Sequence, residues 1–66
     1  MQKGTIIRLT DKGYGFISRE GEKKDLFFHS NELSGTEYSQ LREGDAVVFE
    51  VADGQKGPYA TKVSLA

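Results

Sequence analysis

Cysteine is absent from the 66 residues, which excludes disulfides and any thiolate acting as nucleophile or metal ligand. There is a single histidine, too little to build a structural zinc site without cysteine, and no cofactor is expected. No apolar run approaches the roughly 18 residues of a membrane span. Met1-Gln2-Lys3-Gly4-Thr5 lacks the apolar stretch of a secretory signal. The expectation is a soluble, monomeric, cytoplasmic protein that starts at Met1 and has no membrane partner. Length is also short. A domain near this size buries only about 60% of the surface its unfolded chain exposes, leaving little room for a walled pocket of convergent polar groups. No nucleophile–base pair accompanies the histidine. An enzyme is not expected.

Positive charge is scarce as well. The net charge is −1 and the pI about 5.7, whereas a ligand held mainly through phosphate calls for a basic domain. The distribution is uneven, however. Lys3, Arg8, Lys12, Arg19, Lys23 and Lys24 outnumber Asp11, Glu20, Glu22 and Asp25 in residues 1–29. Residues 30–55 set Arg42 against Glu32, Glu37, Glu43, Asp45, Glu50 and Asp53, and Lys56 and Lys62 follow. The basic excess falls on the segments that carry most aromatics. The acidic stretch reads as a solvated face that also repels a polyanion.

What the chain does have is turn chemistry at short intervals, the pattern of an all-β fold. Thr5 to Leu9 reads as a first strand, rich in β-branched and aliphatic residues. After the turn Thr10-Asp11-Lys12-Gly13, Tyr14 to Ser18 alternates. Beyond a charged hairpin at Glu20 to Lys24, Asp25 to His29 forms a third strand. Residues 30–44 lack alternation; Ser30 is placed to cap a short helical turn, with Leu41 tucked inward. Asp45 to Val51 and Tyr59 to Leu65 complete the set around the loop Asp53-Gly54-Gln55-Lys56-Gly57. Short strands in this number, in up-down order with edges to protect, fit a small, partly open five-stranded OB-type barrel forming one domain over residues 1–66.

Alternation also says which rings face water. Ile17, Leu26 and Phe28 supply the apolar side of the second and third strands, with Val47, Phe49, Val51 and Val63 completing the core. Tyr14, Phe16, Phe27 and His29 then lie on the opposite side. Contiguous exposed rings mark a binding surface, and flat rings on neighbouring strands suit nucleobases, each of which offers a π-face. Gly15 lets the strand bend toward barrel closure. Lys12 stands where an ammonium reaches a phosphate.

The segment Lys12-Gly13-Tyr14-Gly15-Phe16-Ile17 resembles the first ribonucleoprotein-type motif of the cold-shock domain family, and Asp25-Leu26-Phe27-Phe28-His29 resembles the second. The charged hairpin between them, Leu41 to Gly44, the Val47–Val51 strand and Gly57-Pro58 extend the likeness over essentially the whole chain. The resemblance implies a five-stranded antiparallel barrel that binds single-stranded RNA and DNA with low sequence selectivity. It also implies an RNA chaperone that affects transcription or translation under stress. By the same resemblance Tyr14, Phe16, Phe27 and His29 are stacking positions, with Tyr38 a flanking aromatic from the long loop. Lys12 matches a basic contact, Asp25 a polar position beside the rings, and Pro58 lies near the ligand path.

The chain departs from the family pattern in its first strand. The Lys-Trp-Phe run appears as Ile7-Arg8-Leu9, and the aromatic that often follows the histidine is Ser30. Arg8 stacks its guanidinium plane on a base or pairs with a phosphate, but a shorter footprint or weaker binding is expected. Taken singly, Arg8, Lys12 and Lys56 are the kind of residue usually found as solvated surface charges; Arg8 and Lys12 gain from flanking the rings, Lys56 from its glycine loop. Tyr59 is ambiguous: alternation groups it with Thr61 and Val63, pointing inward, while its place at the strand start lets it turn out. The competing function is a protein-interaction barrel that offers the same aromatic patch to a peptide or partner domain.

Overall fold

Where glycine and polar residues cluster, the chain turns, and between the turns it runs extended. A computed structural model describes residues 1–55 and 57–66. The strands are β1 (Gln2–Leu9), β2 (Tyr14–Arg19), β3 (Leu26–His29), β4 (Ala46–Gly54) and β5 (Gly57–Leu65). Gly13 has φ +88°, a conformation that glycine reaches at little cost, and it turns the chain into β2. Two short 3₁₀ turns, Ser30–Glu32 and Tyr38–Gln40, interrupt the long connection from β3 to β4. The first is capped by His29 rather than by Ser30: the His29 Nδ1 accepts from the Asn31 backbone N–H at 3.2 Å.

The strands close into a barrel in the order β1-β2-β3-β5-β4. Closure is complete, where the sequence suggested a partly open sheet, because β4 pairs back onto β1 through Gln2↔Phe49 to Thr5↔Ala46. This long-range pairing also explains why β1 begins at Gln2 and not at Thr5: partner strands, not local propensity, extend it. The neighbours are antiparallel except β3 and β5, which meet in parallel at Phe27↔Tyr59. The long connection breaks the simple up-down order by carrying β4 to the far side of β1.

Ile6, Ile17, Leu26, Phe28, Leu41, Val47, Phe49, Ala60 and Val63 fill the interior. Leu9, Leu33, Tyr38 and Val51 pack against it from the rim. Gly15 has a role beyond bending. A Cβ there would lie 2.7 Å from the Arg8 carbonyl oxygen and 2.8 Å from the Phe28 ring, so the missing side chain is what lets Phe28 cross the barrel.

Two β-bulges re-phase the alternation. One lies in β1, where Ile6 pairs with Ile17 but Arg8 pairs with Phe16. The other lies in β5, where Val48 pairs with Ser64 and Glu50 with Thr61, leaving Lys62 extra at φ +51°. Extra residues of this kind bend a strand and re-aim its side chains. Both bulges matter for the outer face.

Candidate nucleic-acid interface

Alternation places Gly15 and Ile17 of β2 inward, and Leu26 and Phe28 of β3 likewise. Tyr14, Phe16, Phe27 and His29 must therefore project outward, and they do. Tyr14 and Phe16 are half-buried, His29 is exposed, and Phe27 keeps 38% of its surface open to water. Cross-strand register sets Phe16 opposite Phe27 and Tyr14 opposite His29. The rings support one another: Tyr14 and Phe27 centroids are 5.4 Å apart, Tyr14 and Phe16 6.0 Å, and Phe16 and Phe27 6.1 Å. Edge and tilted contacts at these distances are favourable for aromatic pairs and hold the rings in place.

The bulge in β1 decides the fate of Arg8. Strict alternation from the buried Ile6 would turn Arg8 into the core. The extra residue, Ile7, instead brings Arg8 into register with Phe16, exposed and on the ring side. On the far flank, the β5 bulge does the same for Tyr59. Ala60 and Val63 face inward, three residues apart, so Tyr59 does not share the face of Val63. It sits in register with Phe27 and points out. One row across the sheet thus reads Arg8, Phe16, Phe27, Tyr59.

An open groove of about 780 Å³ runs beside this row, lined by Tyr14, Phe27, His29, Glu32 and Tyr59, with Gly54, Gln55, Gly57 and Pro58 of the β4–β5 hairpin. A second groove, of about 840 Å³, lies on the other side of Phe27 and Pro58. It is lined by Arg19, the charged β2–β3 hairpin from Gly21 to Asp25, and Leu26. Charge differs sharply between them. Among the described residues Glu32 is the one charged residue along the first groove, whereas Arg19, Lys23 and Lys24 outweigh Glu22 and Asp25 along the second. Among the described residues Arg8, Lys12, Arg19, Lys23 and Lys24 enter no ion pair; the salt bridge present, Lys62 to Glu50 at 3.4 Å, is exposed and lies in the β4–β5 ladder. The Arg19 Nε is buried without a hydrogen-bond partner among the described residues.

The other expected residues are less tightly gathered. Lys12 is exposed in the turn before Tyr14, outside both grooves. Asp25 lines the second groove and Pro58 both. Lys56 lies outside the described residues. Tyr38 is not brought to the outward rings. Its ring packs near Phe28, at 6.4 Å, and against the core. Its hydroxyl accepts from the Thr10 N–H at 3.0 Å and reaches the Thr10 and Tyr14 carbonyl oxygens, each at 2.6 Å, as donor. A side chain so engaged anchors the long loop to the β1–β2 turn.

A family model described as the 'Cold-shock' DNA-binding domain matches residues 2–66. The chain belongs to the cold-shock domain family. It is 40% identical over 67 residues to the cold shock protein ScoF of Streptomyces coelicolor, covering all of both chains. It is 43% identical over 65 residues to the cold shock-like protein CspLB of Listeria monocytogenes, covering 97% of each. It is 44% identical over 64 residues to the cold shock protein CspA of Staphylococcus aureus, covering 96% of each. As a cold-shock domain it is a nucleic-acid-binding module and not an enzyme. No helix among the described residues is long and apolar enough to cross a membrane.

Tyr59, Glu32 and Gln55, with the hairpin glycines Gly54 and Gly57, are the residues of the first groove that sequence reasoning did not select as contacts. Tyr59 was hidden by the bulge at Lys62; the spacing of Ala60 and Val63, both small and apolar but three apart, is the faint signal of it. Glu32 and Gln55 sit in segments without alternation, where no face can be assigned from sequence.

Proposed function

We propose that this cold-shock domain binds single-stranded RNA or DNA by stacking unpaired bases on Tyr14, Phe16, Phe27 and His29, with little dependence on sequence. The observation that supports it most is the outward cluster itself: three rings within about 6 Å of one another on adjacent strands, in register, with Phe27 open to water. A protein of net charge −1 has little long-range attraction for phosphate, so affinity comes from base faces. Duplexes hide those faces. Arg8 extends the row beyond Phe16 by laying its guanidinium on a base, and Tyr59 extends it beyond Phe27. Lys12, with its ammonium free of ion pairs among the described residues, serves a phosphate.

Holding bases unpaired opposes hairpin formation, so the same binding acts as RNA chaperoning in the cytoplasm and affects translation or transcription under stress. A closed barrel gives every strand a neighbour on each side, which supports action as a monomer. Titration of tyrosine fluorescence with heptathymidine and with the corresponding duplex tests the proposal. The single strand quenches and saturates, and the duplex binds at least about tenfold more weakly. Equal affinity for both, or no response to either, contradicts it, and the latter result favours a protein partner for the same patch.

A further inference from the structure

Among the described residues, the groove between the rings and the β4–β5 hairpin has one charged residue, and its sign is wrong for a phosphate. Glu32 follows His29 by three residues, on the 3₁₀ turn that His29 caps, and is half-buried. Its carboxylate enters no ion pair or hydrogen bond among the described residues. A carboxylate only accepts hydrogen bonds, so what it takes from a nucleic acid is a base edge rich in donors. His29 supplies the complement: with Nδ1 committed as acceptor to the Asn31 N–H, the neutral ring carries its proton on Nε2. The groove wall thus offers an acceptor from Glu32 and a donor from His29. Resting on the stacking reading above, we propose that this groove is a base-selective pocket that prefers guanine, with Glu32 as its specificity-determining residue.

Guanine presents N1–H and N2–H side by side, two donors that match the two oxygens of one carboxylate, and a neighbouring O6 that accepts from an N–H. Adenine and cytosine offer a single amino group. Thymine and uracil offer one ring N–H flanked by two carbonyl oxygens, which face a carboxylate unfavourably. Single-stranded bases are open to reading along this edge. Backbone phosphates are excluded from the groove by the same carboxylate and pass instead along the Arg19, Lys23 and Lys24 side of Phe27. Low sequence selectivity elsewhere on the row is unaffected, so the preference is confined to one position of the bound strand.

A set of heptathymidines carrying a single guanosine at each position in turn tests the pocket, with adenosine, cytidine and inosine at the best position. The expected result is about tenfold tighter binding for guanosine at one position, or two adjacent ones. Inosine, which lacks the N2 amine, loses most of the gain. In Glu32→Gln the ratio of guanosine to thymidine affinity falls to near one. Equal affinity for all bases at every position, undiminished inosine binding, or an unchanged ratio in Glu32→Gln overturns the proposal. Failure of the unaltered protein to bind any of these strands is a different result: it removes the stacking reading and the pocket with it.

Discussion

Phe27 and Phe28 are neighbours in the chain and opposites in the fold: one keeps 38% of its surface in water, the other none. That contrast, set by a strand's alternation, is the reason the ring cluster was legible in the sequence. Leu26, Phe28 and Ile17 satisfied the core, so Tyr14, Phe16, Phe27 and His29 had one side left to occupy. Tyr38 was not legible in this way, because a loop has no alternating face; its hydrogen bonds to Thr10 and Tyr14 belong to tertiary structure. The two aromatics should accordingly separate binding from stability. Phe27→Ala is expected to weaken heptathymidine binding by about 1–3 kcal/mol with a nearly unchanged melting temperature. Tyr38→Phe is expected to cost about 1–2 kcal/mol of stability with nearly unchanged affinity. Parallel titrations and thermal melts of both variants check the pair.

At the scale of the strand, the informative features are the two bulges. Strand positions came within a few residues of their sequence-based limits, and β1 grew by Gln2 to Gly4 because β4 pairs with all three and β2 with Gly4. The bulges were invisible, since a bulge is created by the register of two strands and not by the composition of one. Yet they set Arg8 beside Phe16 and turn Tyr59 outward. Lys62, at φ +51°, is a non-glycine residue in left-handed conformation within β5, which costs about 1–2 kcal/mol relative to right-handed backbone. Strand propensity alone would have Lys62→Val stabilise the sheet. The bulge reverses the sign: a β-branched residue at positive φ is a stronger outlier, and Lys62→Val should lose about 1–2 kcal/mol while Lys62→Gly holds or slightly gains. Chemical denaturation of the two variants decides between these accounts. The ion pair with Glu50 is exposed and contributes too little to confuse the comparison.

The molecule as a whole is a closed barrel with its rings on one face and its acidic excess in residues 30–55. A barrel followed from the need to protect strand edges, but its complete closure and the parallel meeting of β3 and β5 did not, because both depend on where a long, unpatterned connection delivers β4. Electrostatics at this scale make a further prediction. With contact to about 2–4 phosphates, the affinity for single strands should fall with salt at a log–log slope of only about −1.4 to −2.8, measurable by titration across a range of ionic strength. The central claim, that bases rest on the outward rings, is tested most directly by the ring-proton resonances during addition of heptathymidine. Those of Tyr14, Phe16, Phe27 and His29 should shift strongly and together, while those of Phe28, Tyr38 and Phe49 stay nearly still. Silent rings, with the largest changes at Lys12, Lys23 and Lys24, would contradict it.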